Sequence, residues 1–419
     1  MQKMKIAVIG AGSSYTPELF EKLSEYRERL PVGEVALMDV DPERLSIMEG
    51  FCKRFCKKLG FDVNITATGD RLRAIDGADF IDVQLRVGKN AARVFDEKIP
   101  LKYGIVGQET TGPGGMMKAF RTIPVMLEIA GDVVKHNPSA WIINYTNPTG
   151  LVTEAVAKYT TAKIAGLCSG GFAPRWLVAD ALKVDEALVH YDYVGLNHLN
   201  FAYDITIGGR QLSGDEFKTI LGRFAEGDRE WIDMLGMIPS GYLQYYVHAG
   251  KKVKELTEAP LTRGETIGGL EKEIFVEYAD ESVDSKPASL KKRGGGGYSE
   301  VAIGVMDAIY NNRDRWMVIN VPNNGTLKFL PDDAVIETAC TVNAAGVKPL
   351  APRRVPSEVW GLIAAVKNYE QLAVEAAVHS DKNKALLALL AHPLVGDLEI
   401  AVPMLDELLE ANKRYLRFG

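Results

Sequence analysis

The chain has 419 residues, of which 47% are hydrophobic and 25% are charged, and its formal net charge is −6. This length exceeds what one ordinary hydrophobic core uses, so we expect two interlocked domains. The mild negative charge argues against nucleic acid or an anionic membrane as a partner, and the apolar runs are too short to span a bilayer. Four cysteines without a repeating spacing favour free thiols in a reducing cytoplasm.

The first forty residues predict a dinucleotide-binding βαβ unit. Residues 5–9 form an apolar run typical of a strand buried on both faces, and Thr16 and Pro17 open a helix after a short glycine turn. A second apolar run, 35–38, ends at an acid that can accept hydrogen bonds from an adenosine ribose, which favours NAD over NADP. The predicted cofactor-binding residues are Gly10, Gly12, Ser13, Ser14 and Asp39. Tyr15 stands where the fingerprint has its third glycine, so a purely structural turn is the alternative.

The remainder of the first half alternates strands with helices, which predicts a parallel sheet covered on both faces. The predicted helices are 42–59 and 116–136, and the predicted strands are 63–66, 80–85, 141–144 and 163–165. In such sheets a ligand binds beyond the carboxyl ends of the strands. Three polar, glycine-rich loops follow strand ends, at 86–93, 144–150 and 166–171, and we expect a binding site at that edge.

From about residue 170 the pattern becomes α+β. The segments 189–196 and 201–207 alternate like antiparallel strands, and 267–278 and 301–310 have helical periodicity, whereas 316–321 is again strand-like. The tail, 356–416, predicts about three packed helices. The predicted fold class is therefore α/β, with a Rossmann-like doubly wound parallel sheet in residues 1–167 and a second α+β, mostly helical domain in residues 168–419.

Two residues near the predicted site have side chains that suit a divalent metal. Cys168 follows the strand 163–165, and His198 follows the strand 189–196. A thiolate and an imidazole with open positions for ligand oxygens suit Mn²⁺ or another divalent ion. A structural role for His198 is the alternative. The separation of Cys168 and His198 in the sequence does not distinguish a metal-binding role from a structural one.

Eight short motifs then occur in order along the chain. They are residues 8–13, 99–104, 107–115, 144–148, 166–168, 195–198, 263–265 and 293–299. Together they resemble glycoside hydrolase family 4, and within it most closely the 6-phospho-β-glucosidases. The helical tail is also of the family's kind.

The resemblance implies a redox route to glycoside hydrolysis, which is an exception to the rule of two catalytic carboxylates. NAD⁺ would take a hydride from C3 of the sugar, and the resulting ketone would acidify the hydrogen on C2. The metal would stabilise the charge that forms, the glycosidic oxygen would leave C1, water would add, and NADH would return the hydride. The implied substrate is a phosphorylated disaccharide such as cellobiose 6-phosphate, or another β-glucoside.

The resemblance also assigns roles to residues. It makes Cys168 and His198 the metal ligands and Tyr242 the catalytic base, with Tyr245 and Tyr246 as alternatives. A tyrosine has an ordinary pKa of about 10, so as a base it needs a nearby cation. The positions that match substrate contacts are Arg93, Asn147 and Arg263. Without the resemblance, the three tyrosines would be interpreted as an aromatic packing cluster.

One position departs from the family pattern. Phospho-β-glucosidases commonly have asparagine after the cysteine and proline two positions further on, whereas this chain has Ser169 and Gly171. The α-specific members commonly have an aspartate that protonates the leaving group. Ser169 is not a strong acid, which favours a β-glycoside, but the lost amide weakens the expectation that a 6-phosphate is required.

Three other functions remain open at this stage. They are an NAD-dependent 2-hydroxy-acid dehydrogenase, a family 4 glycosidase for a non-phosphorylated or galacto-configured glycoside, and a catalytically silent NAD sensor. The dehydrogenase would consume NAD stoichiometrically and would need no thiolate-bound metal. A homodimer or homotetramer is expected by analogy with the family.

Overall fold

The computed structural model describes residues 3–293 and 296–418. Gly294 and Gly295, which belong to the 293–299 motif, lie outside the described residues. The strands are β1 (Met4–Ile9), β2 (Val32–Met38), β3 (Asn64–Thr68), β4 (Phe80–Val83), β5 (Trp141–Asn144), β6 (Lys163–Gly166), β7 (Val189–Leu196), β8 (Leu199–Ile207), β9 (Arg210–Gln211), β10 (Ile238–Pro239), β11 (Arg315–Pro322), β12 (Val335–Asn343) and β13 (Gly346–Pro349).

The helices alternate with these strands in the first half and predominate at the end of the chain. They are α1 (Thr16–Glu25), α2 (Pro42–Leu59), α3 (Arg71–Ile75), α4 (Lys89–Lys102), α5 (Gly112–His136), α6 (Thr149–Tyr159), α7 (Ala173–Leu182), α8 (Gly214–Leu221), α9 (Glu226–Leu235), α10 (Gln244–Val247), α11 (Ala249–Glu258), α12 (Arg263–Ala279), α13 (Ala288–Arg293), α14 (Tyr298–Tyr310), α15 (Trp360–His379), α16 (Lys382–Ala391) and α17 (Leu398–Asn412). None of the helices in the described part of the chain combines the length and the apolar character needed to cross a bilayer.

The central sheet confirms the predicted Rossmann-like fold class. Within the described residues it has nine strands in the order β13-β12-β11-β6-β5-β4-β1-β2-β3. The strands β1 to β6 pair in parallel, in the strand order of a dinucleotide-binding fold. Three antiparallel strands from the second half, β11 to β13, extend the same sheet beyond β6. The sheet is therefore mixed and is shared by both halves, and the boundary between residues 167 and 168 stays a prediction.

Apolar side chains on both faces explain why these strands are buried in the middle of the molecule. In β1, Ala7 and Ile9 point to one core, which α5, α6 and the tail helices cover. Ile6 and Val8 point to the opposite core, which includes side chains of α1, α2, α12 and α14. Each fully buried aliphatic side chain of this size contributes about 1.5–3 kcal/mol by leaving water, so a continuous apolar run is stable only between two layers.

A second, antiparallel sheet carries part of the functional site. It has the strand order β10-β8-β7, and β9 pairs with β8. The strands β7 and β8 form a hairpin whose turn is Asn197 and His198, and both turn residues lie close to the end of the central sheet that holds the predicted site. The predicted antiparallel segments 189–196 and 201–207 and the three helices of the tail are thus confirmed.

Several predicted boundaries differ from the structure: the strand predicted at 80–85 ends at Val83, and the helix predicted at 267–278 begins at Arg263. Two further differences concern segments near the site. The loop predicted at 86–93 ends early, because α4 already begins at Lys89. The helix predicted from residue 116 begins at Gly112, with proline in its first turn. A side chain at Gly114 would lie 2.4 Å from the carbonyl oxygen of Gln108, so this glycine allows close packing at the helix start and does not mark a loop.

Candidate active site

The segments that follow the parallel strands line one cavity of about 1420 Å³. The carboxyl ends of parallel strands meet at one edge of a sheet, which places these segments together. Of the residues predicted from the sequence, the cavity wall contains Gly10, Gly12, Ser13, Asp39, Arg93, Asn147, His198, Tyr242 and Arg263. Ser14 is fully buried behind the turn, and its hydroxyl lies 3.4 Å from a carboxylate oxygen of Glu271. Cys168 is 5% exposed and lies just behind the wall.

The glycine turn between β1 and α1 is shaped for a close backbone approach. Gly10 has a φ of +92°, and a side chain there would lie 2.9 Å from the backbone nitrogen of Leu85. The Gly12 amide donates to Asp39 Oδ2 at 2.8 Å, and the Asp41 amide donates to Asp39 Oδ1 at 2.9 Å. The acid is therefore fixed beside the turn at the start of α1, the arrangement that holds a pyrophosphate and an adenosine ribose.

Cys168 and His198 meet behind the same cavity. Cys168 Sγ lies 3.7 Å from His198 Nε2. For comparison, a sulfur and a nitrogen that share a tetrahedral zinc ion, with bond lengths of about 2.3 and 2.05 Å, lie about 3.6 Å apart. The two side chains therefore fit a shared divalent ion. No third His, Cys, Asp or Glu of residues 3–293 and 296–418 completes a metal-binding group with them, so such an ion has open positions for water or ligand oxygens.

Hydrogen bonds set the tautomer of His198. The Thr110 amide donates to Gln108 Oε1 at 2.6 Å, so this atom is the amide oxygen, and the Thr110 hydroxyl donates to it at 2.9 Å. His198 Nδ1 lies 3.0 Å from that hydroxyl oxygen, and a hydroxyl that donates to Gln108 accepts from His198, which assigns the tautomer. Nδ1 therefore carries the proton, and the lone pair of Nε2 faces Cys168. This is the tautomer that a metal-binding histidine needs.

Burial keeps both side chains neutral in the protein alone. Burial, with a smaller contribution from the nearby Glu337 carboxylate, raises the pKa of the Cys168 thiol to about 12. Burial lowers the pKa of His198 to about 3, and the charge of Lys118 acts in the same direction. A coordinated divalent cation deprotonates a thiol outright, so the pair can bind an ion only with release of the thiol proton. His198 also has a φ of +67°, a strained conformation for a residue with a side chain.

Tyr242 lies directly on the predicted metal ligand. Its ring stacks on the His198 ring with centroids 3.7 Å apart and planes within 4°. Tyr245 also lines the cavity, with its ring centroid 6.1 Å from that of Tyr242, whereas Tyr246 is outside the wall and packs against His392. Burial raises the pKa of the Tyr242 phenol, and the nearby Cys168 contributes in the same direction. The phenol therefore acts as a base only when a cation is beside it.

A cluster of charges around Glu109 forms the wall next to His198. Arg93 Nη1 lies 2.9 Å from Glu109, Lys118 Nζ lies 2.7 Å from it, and Arg86 also pairs with it. Burial raises the pKa of Glu109, but the charges of Arg86, Lys118 and Arg93 outweigh this and hold it well below its usual value. The sequence motif 107–115 contained Glu109 and Thr110, but nothing in the sequence assigned them these contacts.

The other residues predicted to contact the substrate differ in how far their side chains are already bound by the protein. Arg93 is 7% exposed, and its Nε also donates to Glu97 at 2.7 Å, so its guanidinium is already used by two carboxylates. Arg263 is exposed, at the first turn of α12, and donates to the carbonyl oxygen of Arg293 at 2.5 Å. Asn147 precedes a cis proline and donates to the Tyr145 carbonyl oxygen at 3.3 Å.

Glu337 is a residue that the sequence analysis missed. It is 1% exposed on β12 and accepts hydrogen bonds from Tyr193, Asn197, Asn200 and Asn320 at 2.7–3.2 Å. Asn197 is the neighbour of His198, and Asn320 also donates to the carbonyl oxygen of Gly166, two residues before Cys168. Burial raises the pKa of Glu337 to about 7. The available signal was a single charged residue in an otherwise uncharged strand.

The Rossmann-type sheet carries a glycine turn, and a buried thiol–imidazole pair lies beneath a stacked tyrosine near the same cavity; these are features of a nucleotide-dependent enzyme with a candidate cation site. Comparison with known proteins gives the family. Residues 5–184 match the model described as family 4 glycosyl hydrolase, and residues 193–395 match the model of its C-terminal domain. The chain belongs to the family 4 glycosyl hydrolases, which confirms the resemblance seen in the sequence.

Individual relatives cover nearly the whole chain. A "Probable 6-phospho-beta-glucosidase" of Bacillus subtilis is 42% identical, with 99% of this chain and 97% of that protein aligned. The 6-phospho-beta-glucosidase of Escherichia coli is 36% identical, over 99% of this chain and 96% of the relative. The 6-phospho-beta glucosidase of Thermotoga maritima, solved with manganese, NAD⁺ and glucose-6-phosphate, superposes with a TM-score of 0.93 at 35% identity and covers 99% of this chain and 100% of its own.

Proposed function

We propose that this chain hydrolyses 6-phospho-β-glucosides, such as cellobiose 6-phosphate, with NAD⁺ and a divalent metal ion, first of all Mn²⁺. One arrangement carries the proposal: Cys168 and His198 lie 3.7 Å apart, and Tyr242 stacks on His198 in the cavity that also contains the glycine turn. The names of the three relatives, and the manganese and NAD⁺ in the Thermotoga maritima structure, support the same substrate class and cofactors.

NAD⁺ and the metal ion, when bound, supply a hydride acceptor and a Lewis acid. The turn at Gly10, Gly12 and Ser13 and the carboxylate of Asp39 orient the nucleotide. Cys168 and His198 hold the cation, and the Thr110 hydroxyl keeps the Nε2 lone pair of His198 directed at it. Ser14 contributes from behind the turn, through its contact with Glu271.

Tyr242 takes the proton from C2 of the oxidised sugar. Its ring is parallel to the imidazole that holds the cation, so the positive charge acts on the phenol over a short distance and offsets the rise in pKa caused by burial. Tyr245 is the second candidate because it also lines the cavity. Tyr246 is the weakest, since it packs against His392 outside the wall.

Arg263 and Asn147 bind the substrate, and Arg93 supports them from within the wall. We assign the phosphate to Arg263 because its guanidinium is exposed at the cavity, whereas Arg93 is bound by Glu97 and Glu109. A planar guanidinium fork suits a phosphate. Ser169 has no acidic group that could protonate a leaving group, which supports the β-configuration.

The same proposal covers the cellular compartment, the oligomeric state and the domain roles of the enzyme. The free cysteines and the phosphorylated substrate favour work in the cytoplasm, and family analogy favours a homodimer or a homotetramer. We also propose that residues 1–167 bind the nucleotide and that residues 168–419 provide the cation site and the base.

The test is an assay of p-nitrophenyl β-glucoside 6-phosphate with and without NAD⁺, Mn²⁺ and a thiol reductant. We expect p-nitrophenolate release only when all three are present, with no net NADH. The unphosphorylated glucoside and the α-anomer are the matched controls, and equal rates on either would contradict the assigned substrate class. Activity that survives complete removal of NAD⁺ would contradict the redox route.

Two other results would favour the alternatives. Net NADH accumulation with a 2-hydroxy acid would indicate a dehydrogenase. Tight NAD binding without cleavage of any glycoside under any metal or reductant would indicate a sensor.

A further inference from the structure

Glu271 joins four parts of the chain at the cavity wall. It lies on α12, and its carboxylate accepts from Arg293 on α13 at 3.0 Å and from Asn90 on α4 at 3.1 Å. The hydroxyl of Ser14, in the glycine turn, lies 3.4 Å away, and Nη1 of Arg44 on α2 lies 3.5 Å away. One carboxylate from the second half of the chain therefore contacts three segments of the first half.

The Arg44 side of this network holds the cofactor turn. Arg44 Nε donates to the carbonyl oxygen of Gly12 at 2.8 Å, and its guanidinium lies 3.9 Å above the Phe275 ring. This hydrogen bond fixes the Gly12 carbonyl, and the Gly12 amide in turn donates to Asp39, so Arg44 and Asp39 together hold the turn in place. The position of Arg44 itself depends on Glu271 and on Phe275, both on α12.

The Arg293 side of the network reaches the substrate contacts. The Arg293 guanidinium lies 4.4 Å above the Tyr15 ring, and the Arg293 carbonyl oxygen accepts from Arg263 at 2.5 Å. Arg263 is the residue to which we assign the sugar phosphate. A change in the position of Arg293 would therefore move Arg263 as well.

The charge of Glu271 allows two guanidinium groups to share this part of the wall. Its side chain is 15% exposed, and the carboxylate lies between Arg293 and Arg44. Burial raises its pKa, but the two arginines outweigh this and lower it below the usual value, so the group is ionised at neutral pH. Without a negative charge, the two arginines would repel each other in a partly desolvated site.

We propose that Glu271 is a positioning residue that couples the cofactor turn to the substrate arginines. A nucleotide that orders the turn also orders Arg44 and, through Glu271, Arg293 and Arg263. A sugar phosphate that orders Arg263 acts in the reverse direction, because coupling between two sites is reciprocal. The inference rests on the proposed function for the identity of the two ligands.

The test measures the dissociation constant of NAD⁺ on the full chain in the presence and in the absence of saturating glucose 6-phosphate. Divalent metal is left out of both measurements so that no hydride is transferred. For the unmodified chain we expect glucose 6-phosphate to tighten NAD⁺ binding by about fivefold or more, the lower end of typical coupling between sites. In Glu271→Gln the ratio of the two constants should fall close to one. Glu273→Gln is the matched control, because Glu273 lies on the same helix with its side chain exposed.

The outcomes separate the two proposals. If Glu271 has a purely structural role, Glu271→Gln should lower the melting temperature and weaken NAD⁺ binding equally with and without glucose 6-phosphate, so that the ratio of the two constants is unchanged. That result would overturn the inference. It would also be overturned if the unmodified chain binds both ligands without coupling. A chain that binds neither ligand would instead contradict the proposed function. If Glu271→Gln does not fold, Glu271→Asp is the substitute, because it keeps the charge but shortens the reach to Ser14 and Arg44, which already lie 3.4 and 3.5 Å from the carboxylate. Full coupling in that variant would show that these contacts do not carry the coupling and would overturn the inference.

Discussion

The proposed cofactor turn and the proposed cation site lie at one cavity but are built in opposite ways. The turn is formed by residues 10–14 and Asp39, all from one continuous stretch, and its contacts are made largely by backbone amides. The cation site takes Cys168, His198 and Tyr242 from three separate segments. Their positions depend on side chains from further segments, among them Thr110 and Glu337.

This difference in construction predicts which substitutions should impair each site. In the turn, Gly10 and Gly12 have no room for a side chain, so atoms added there should be harmful. In the cation site, single side-chain atoms carry the chemistry, and burial shifts the pKa values of Cys168 and His198 in opposite directions. We therefore expect losses of catalysis from the cation site and graded losses of cofactor affinity from the turn.

Cys168→Ser should have the largest effect, because a hydroxyl does not replace a thiolate as a metal ligand. We expect metal-dependent activity to fall by far more than the about 10–100-fold that is lost when outer-shell partners are removed. NAD⁺ affinity and the melting temperature should remain unchanged. The measurements are p-nitrophenolate release over a Mn²⁺ titration and a separate NAD⁺ titration, with His198→Ala as a parallel variant. Full activity in either variant would place the metal elsewhere.

Tyr242→Phe should remove the base and leave the stacked ring in place. General-base catalysis is typically worth about 10²–10⁴-fold, so we expect kcat to fall by about a hundredfold or more. Exchange of the C2 hydrogen with solvent should fall with it, while the KM for substrate changes little. Tyr245→Phe is the control from the same cavity. If exchange is normal in the first variant and lost in the second, the base is Tyr245.

Thr110→Val should weaken metal binding by about 10–100-fold, the usual effect of losing an outer-shell hydrogen bond. The valine cannot accept from His198 Nδ1, so the imidazole is no longer held in the required tautomer. Thr110→Ser keeps the hydroxyl and serves as the control. The readout is Mn²⁺ affinity by titration, and equal affinities in the two variants would show that the tautomer is fixed by another group.

Gly12→Ala should weaken NAD⁺ binding and leave the proposed cation site unchanged, and the effect should be smaller than in the variants above. The added carbon would lie 2.8 Å from Asp39 Oδ2 and 3.0 Å from Cβ of Arg44. Overpacking of this kind costs about 1–3 kcal/mol, so we expect the NAD⁺ dissociation constant to rise roughly tenfold. Mn²⁺ affinity should be unchanged. A parallel loss of Mn²⁺ affinity would mean that the two ends of the cavity are less independent than their construction indicates.

Asp82→Asn should have the smallest effect on activity and ligand binding, and its effect should appear as a pH dependence of stability. Asp82 lies on β4 in the cavity wall, and burial raises its pKa to about 8. A folded-state pKa above the unfolded value means that stability is fully present below about pH 4 and is lost as the pH rises towards 8. The variant should therefore be more stable than the unmodified chain at pH 8.5, with a smaller difference at pH 5. Urea unfolding at both pH values tests this, and parallel pH profiles would contradict it.

The fold was predictable wherever local pattern and topology agree. The strands β1 to β6 are short apolar runs between helices, and the tail helices have regular apolar stripes, so both were found from the sequence. The pairing of β11 with β6 was not found, because strands so far apart in the chain leave no local signal of their contact. The start of α5 was predicted at residue 116, four residues late, because two glycines precede it; in the structure Gly114 and Gly115 lie inside the helix and pack against backbone.

The candidate site shows the same division. The glycines of the turn and Asp39 could be assigned from the sequence alone, because a strand, a tight turn and a helix within forty residues determine their own geometry. Cys168 and His198 could be named from the sequence as candidate metal ligands, but only the family resemblance paired them and assigned the base to Tyr242, since side chains from separate segments meet only after the sheet and the β7–β8 hairpin have formed. Tertiary packing alone decided that Tyr242 lies on His198, that Tyr246 does not face the cavity, and that Thr110, Glu109 and Glu337 support the site. Burial and long-range contacts set these arrangements, and neither is encoded in local spacing.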